Sequence, residues 1–160
     1  PLRHCRQCTG EVERARASAR SMGIGNVVDL PGWIDGERKQ DLLRTSGIYI
    51  LPSHNEGLPV SLLEAMSHGL AVIGSRVGGI PELIRDGTDG LLVDAGDVAA
   101  IADALERLLS DDALRERLGS AARARIDDAF SDRAVLPLLD QLYRHCTAPP
   151  EAASAAPQQL

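Results

Sequence analysis

Gly47-Ile48-Tyr49-Ile50-Leu51-Pro52 runs directly into Ser53-His54-Asn55-Glu56-Gly57-Leu58-Pro59-Val60-Ser61-Leu62-Leu63-Glu64, and this stretch decides the fold. The continuous apolar run 47–51, stopped by Pro52, suits a strand buried on both faces of a parallel sheet. The polar loop after it leads to Pro59, a residue tolerated in a first helical turn because no N–H is needed there. Residues 59–68 then read as a helix that stops near Gly69, and Ala71-Val72-Ile73 reads as a second buried strand. Ser75-Arg76-Val77-Gly78-Gly79 follows, then a short helix started by Pro81. Asp86-Gly87 and Asp89-Gly90 mark turns before a last strand at Leu91-Leu92-Val93.

Upstream, residues 11–22 have helical spacing, with Val12, Ala15, Ala19 and Met22 on one face and Gly23 as a stop. Asn26 to Leu30 reads as a short strand ended by Pro31-Gly32, and residues 37–45 as a short helix with Leu42 and Leu43 inward. Downstream the pattern is helical. Asp97 is a good N-cap for a stripe of Val98, Ile101, Leu105 and Leu108. Asp111 and Asp112 could cap a helix carrying Leu114, Leu118 and Ala122. Ser131 could cap a final one carrying Val135, Leu138, Leu139 and Leu142, which Pro137 would bend or delay. Strands alternating with helices predict an α/β, Rossmann-like parallel sheet with helices on both faces. The expected division is an atypical segment at 1–10, a domain at 11–146 and an Ala-, Pro- and Gln-rich disordered tail at 147–160.

Composition narrows the function classes. The 160 residues are 44% hydrophobic, which suits one globular domain with a sizeable core. A net charge of −6 argues against a nucleic-acid partner, whose phosphates need a basic face, and 2% aromatic residues leave little for base stacking. No apolar run approaches the ~20 residues of a membrane span. Lys39 is the single lysine. Cys5, Cys8 and Cys146 are an odd set spread to the two ends, which fits a reducing compartment. Cys5 and Cys8 form a C-x-x-C beside His4, but zinc needs about four ligands and no second pair exists, so no metal is expected. The start PLRHCRQC is basic and lacks the apolar region of a signal peptide.

In open parallel sheets ligands gather at the carboxyl ends of strands, which singles out the loops Pro52–Pro59 and Ser75–Pro81. The first holds Glu56, with Glu64 inside the following helix. Between the glutamates lies a helix N-terminus, whose free N–H groups and dipole favour a phosphate; the donors there would be Leu58, Val60 and Ser61, because Pro59 has none. A carboxylate beside a phosphate makes sense if it accepts from the vicinal hydroxyls of a sugar or ribose. On spacing alone, two glutamates around a helix start are more often a stabilised first turn and a solvated face.

The ordered series Pro31-Gly32-Trp33-Ile34, Leu51-Pro52-Ser53 before Glu56-Gly57, Leu63-Glu64-Ala65-Met66, Val77-Gly78-Gly79-Ile80-Pro81-Glu82 and Asp86-Gly87-Thr88-Asp89-Gly90-Leu91-Leu92-Val93 adds a second line of inference. From Val28 to Val93 the chain resembles the donor-binding C-terminal half of retaining GT-B glycosyltransferases, specifically glycosyltransferase family 4 (glycosyl transferases group 1). Weaker similarity continues to Tyr143. The resemblance implies that Glu56 contacts the donor sugar hydroxyls and helps place the anomeric centre, while Glu64 binds the ribose hydroxyls. It implies that the backbone of Gly57, Leu58 and the turn Pro59, Val60 and Ser61 approaches the sugar and diphosphate. The backbone near Gly32 and Trp33 would meet the base. The implied reaction moves a hexose-type sugar from a nucleotide sugar, UDP-linked by expectation, to a glycan or lipid-linked acceptor in polysaccharide or cell-envelope synthesis. Configuration is retained, no metal is bound, and the leaving diphosphate is stabilised electrostatically. The implied location is cytoplasmic, with the full-length enzyme peripheral at the inner membrane face.

The chain also departs from that pattern. An acceptor-binding domain and the Arg and Lys that clamp the diphosphate have no counterpart, and Lys39 lies in the wrong motif. Only Thr9-Gly10 matches the strand-ending glycine turn before the first helix, so a truncated or altered N-terminus is expected. The acceptor-binding domain would act in cis or in trans, and the chain by itself would transfer sugar poorly or not at all. Two alternatives stand beside this: a non-catalytic nucleotide-sugar-binding module, and a GT-B sugar-nucleotide epimerase. At single residues, Gly78 and Gly79 serve either a tight turn or ligand contact, Glu82 reads as a first-turn residue, His54 and His68 as surface residues, and Trp33 as packing or base contact.

Overall fold

The computed structural model describes residues 6–147. The expected tail beyond Thr147 and the residues up to Cys5 lie outside them. Two compact units divide the chain, residues 1–42 and 43–160.

In the first unit, α1 (Arg6–Ser21) starts earlier than the spacing predicts, so Thr9-Gly10 lies within a helix and forms no turn. Gly23, at φ +73°, ends it as expected. Ala19 is buried, but Met22, expected on the same face, is 63% exposed because it falls beyond the last helical turn. Asn26 to Leu30 is not a strand. A strand exists only where a neighbour completes its hydrogen bonds, and here the Val27 and Val28 N–H groups instead donate back to the Ile24 carbonyl at 3.0 and 3.2 Å. Arg16 ties this segment to the helix by donating to the Leu30 carbonyl at 2.6 Å. Next, α2 (Gly36–Thr45) begins in the first unit and ends in the second. Leu43 is buried, whereas its neighbour Leu42, about 100° around the helix, is exposed.

The second unit holds the sheet. Strands β1 (Ile48–Leu51), β2 (Ala71–Ser75) and β3 (Leu91–Val93) run parallel in the order β1-β2-β3. Ile48 pairs with Ala71 and Leu51 with Gly74; Ile73 pairs with Leu91 and Ser75 with Val93. Their crossovers run through α3 (Val60–Ser67) and the short α4 (Ile80–Leu83). The period-two alternation of strands sorts the side chains between two cores. Tyr49, Leu51, Val72 and Leu92 face Leu62, Met66, Ile80, Leu83 and Ile126, while Ile48, Ile50, Ala71, Ile73, Leu91 and Val93 face Ala104, Leu108 and Leu118. Only β2 is buried throughout; β1 is half-buried along its length, contrary to expectation, because it forms an edge of the described sheet.

Three helices follow. In α5 (Val98–Ser110), the Asp97 side chain caps the Ala100 N–H; Leu108 is buried, whereas Val98 is 75% exposed in the first turn and leaves the expected stripe. Asp111 caps α6 (Asp112–Ala129) through the Leu114 N–H. This helix serves both cores, with Leu118 in one and Ala122 and Ile126 in the other. It lies so close to the turn after α3 that a Cβ on Gly119 would stand 2.1 Å from the Gly69 carbonyl oxygen. Last, α7 (Asp132–Thr147) contains Pro137 and has the expected Ser131 cap, the hydroxyl accepting from the Ala134 N–H at 3.3 Å. It buries none of its residues, so Leu138, Leu139 and Leu142 form an exposed stripe instead of a packed one.

Candidate functional site

Because the strands are parallel and in register, the loops after Leu51, Ser75 and Val93 leave the same edge of the sheet. The first, residues 52–59, carries Glu56. Pro59 is the N-cap of α3, with φ −74° and ψ 111° and no side-chain cap. It is buried, and its carbonyl accepts from the N–H groups of Leu62 and Leu63 at 3.1 and 3.3 Å. Helix geometry leaves the Val60 and Ser61 N–H groups without intrahelical acceptors, and both residues are exposed. Leu62, Ala65 and Met66 anchor the inner face of α3. Glu64 is the fifth residue of α3 and is half-buried.

Glu56 is also half-buried, and the Ser53 hydroxyl donates to its Oε1 at 2.7 Å. The second loop braces this first one. Gly78, at φ +51°, lies against the Glu56 backbone so closely that a Cβ there would sit 1.7 Å from the Glu56 carbonyl oxygen. The Gly79 N–H donates to the Gly57 carbonyl at 2.8 Å, and a Cβ on Gly79 would meet that oxygen at 2.5 Å. These glycines therefore do more than permit a turn: they admit one backbone against another. The third loop reaches the same place at Gly96, where an added Cβ would stand 3.2 Å from the ring of the exposed His54 in the first loop.

Charges near this edge are largely self-satisfied. At the end of β2, Arg76 donates to Asp86 at 2.5 Å, and Asp86 also accepts from the Leu92 N–H at 2.9 Å. Asp89 is fully buried and accepts from both the Arg85 backbone N–H and its guanidinium Nε, each at 2.6 Å. These contacts shape the Asp86–Gly90 turn, a role that sequence reasoning assigned only to turn propensity. Glu82 is exposed in the first turn of α4. Among the described residues, no group of three or more His, Cys, Asp or Glu gathers to hold a metal ion.

Glu56, Gly57, Leu58, Pro59, Val60, Ser61 and Glu64 thus come together as one loop–helix corner. Leu58 is 49% exposed and lies over Gly79. Gly32 and Trp33 belong to the first unit. Gly32 has φ +78°, and Trp33 is 79% exposed with its Nε1 donating to Asp35 Oδ2 at 3.3 Å, so it is not core packing. Ser53 is the site residue to which the sequence assigned no role; its hydroxyl meets the Glu56 carboxylate three residues on.

Solved structures share this fold. A sucrose-phosphate synthase from Thermosynechococcus elongatus is 31% identical with a TM-score of 0.77, covering 86% of this chain and 34% of that one. The Anabaena protein Alr3699/HepE, solved in complex with UDP, is 19% identical with a TM-score of 0.81, covering 88% and 38%. The architecture is that of the C-terminal half of a GT-B glycosyltransferase, an α/β parallel sheet with helices on both faces. The family model described as glycosyl transferases group 1 matches residues 9–125, and the chain belongs to that family. Among curated relatives, a D-inositol 3-phosphate glycosyltransferase from Acidothermus cellulolyticus is 37% identical over 150 residues, 94% of this chain and 33% of that protein. The chain spans about a third of the length of the curated relatives it matches.

Proposed function

We propose that this chain is the donor-binding domain, residues 11–146, of a retaining family 4 glycosyltransferase. It would hold a nucleotide sugar, UDP-linked, whose hexose passes to a glycan or lipid-linked acceptor at the cytoplasmic side of the membrane. The observation that carries this reading is the corner between β1 and α3. There the Glu56 carboxylate, the first-turn N–H groups of α3 and Glu64 follow one another along 9 residues of chain.

The chemistry assigns each group a role. The Glu56 carboxylate accepts from donor sugar hydroxyls and places the anomeric carbon. The Val60 and Ser61 N–H groups, at the positive end of the α3 dipole, face the diphosphate; the Gly57 and Leu58 backbone lies along the sugar. Charge grows on the diphosphate as the glycosidic bond to it breaks, and fixed N–H dipoles stabilise that charge without reorganising. Glu64 accepts from the ribose hydroxyls, and the Gly32–Trp33 backbone meets the base. No metal enters this scheme.

Calorimetric titration with UDP, GDP and UDP-glucose tests the assignment. Glu64→Ala is expected to weaken UDP and UDP-glucose alike, by about a hundredfold for a lost pair of charge-assisted hydrogen bonds. Glu56→Ala is expected to weaken UDP-glucose and spare UDP. Equal effects of both substitutions on UDP would sink the division of labour. Full transfer is assigned to the donor domain together with an acceptor-binding domain in cis or in trans, because positioning both substrates needs both walls. A clear acceptor-dependent rate from this chain alone contradicts that part.

A further inference from the structure

We propose that Ser53 and the Gly78-Gly79 turn form a positioning device for Glu56, holding its carboxylate for the sugar before any ligand arrives. This rests on the assignment of Glu56 to the donor sugar. The loop that carries Glu56 is poorly fixed by apolar burial: His54, Asn55 and Gly57 are exposed, and Leu58 is 49% exposed. Something else must hold it if Glu56 is to act from one geometry, since a loose carboxylate loses much of the advantage of a preformed site.

Two independent restraints supply that hold. The backbone is seated: the Gly79 N–H donates to the Gly57 carbonyl at 2.8 Å, and Gly78 leaves no room beyond its hydrogen for the Glu56 carbonyl. The side chain is tethered separately, because the Ser53 hydroxyl donates to Oε1 at 2.7 Å. A carboxylate offers about four acceptor positions, so one tethered oxygen leaves Oε2 and part of Oε1 for sugar hydroxyls. The seat fixes where the loop stands, and the tether fixes which way the carboxylate turns. Neither restraint involves the α3 N–H groups or Glu64, so the device bears on the sugar end of the donor and not on the nucleotide.

Three variants and two readouts decide this. In the ligand-free chain, side-chain proton couplings measured by NMR should report a single Glu56 rotamer for wild type and Ser53→Thr, and averaged rotamers for Ser53→Ala. Gly78→Ala should shift the Glu56 and Gly57 amide signals; if it does not fold, the serine variants still decide. In calorimetry, Ser53→Ala should lower affinity for UDP-glucose relative to UDP by about fivefold, the scale of immobilising one freed side chain on binding, with Ser53→Thr restoring the ratio. A wild-type Glu56 that already averages its rotamers, or a Ser53→Ala variant with unchanged rotamers and ratio, overturns the proposal. Should wild type bind neither UDP nor UDP-glucose, the donor assignment fails, and the sugar-positioning role falls with it. The rotamer comparison would then still show whether the tether exists.

Discussion

Residues 11–30 and residues 47–93 carry equally plausible patterns of apolar residues, yet they fold to different effect. In the second stretch each strand finds a parallel neighbour, and β2 is buried throughout between two cores. In the first, α1 forms but Ala19 is its one buried residue among those whose burial is described, and Val27 is 74% exposed. Periodicity specifies which face of an element is apolar, while only a partner converts that face into stability. The loop–helix corner belongs to the packed unit, whereas Gly32 and Trp33, which we propose meet the base, belong to the sparsely buried one.

The largest effect expected from this contrast is at Leu118, which is fully buried in one core. Leu118→Ala should lower the unfolding free energy by about 3 kcal/mol through lost burial and a residual cavity, measured by denaturant titration. Asp89→Ala comes next, at about 2 kcal/mol, because it removes a fully buried carboxylate that accepts from both the Arg85 N–H and its guanidinium. Val27→Ala should change stability by no more than about 0.5 kcal/mol. A loss at Val27 equal to that at Leu118 would break the contrast between the two regions.

Much of the second unit was legible because local and global signals agree there. The apolar run ending at Pro52, Pro59 before α3, and the caps at Asp97 and Asp111 each announce one element boundary, and each boundary is found. The strand expected at Asn26–Leu30 fails for a reason that no local pattern contains, since its hydrogen-bonding partner must come from elsewhere in the chain. The exposed stripe of α7 has the same origin: Leu138, Leu139 and Leu142 have helical spacing, but spacing does not say what covers them. At the site, the two glutamates and the helix start were visible as types at a spacing. The seat at Gly78 and Gly79 was not, because it joins backbones more than twenty residues apart in sequence. A glycine chosen for tertiary approach looks, in sequence, like one chosen for a turn.

We assign the diphosphate end of a nucleotide-sugar donor to the corner between β1 and α3. Titration of the isotope-labelled chain with UDP, followed through its backbone amide signals, tests this directly. Saturable shifts are expected at Val60, Ser61 and Glu64, with the amides of α5 and α6 unmoved. Saturable binding that leaves those three amides untouched, or no binding at all, would contradict the assignment.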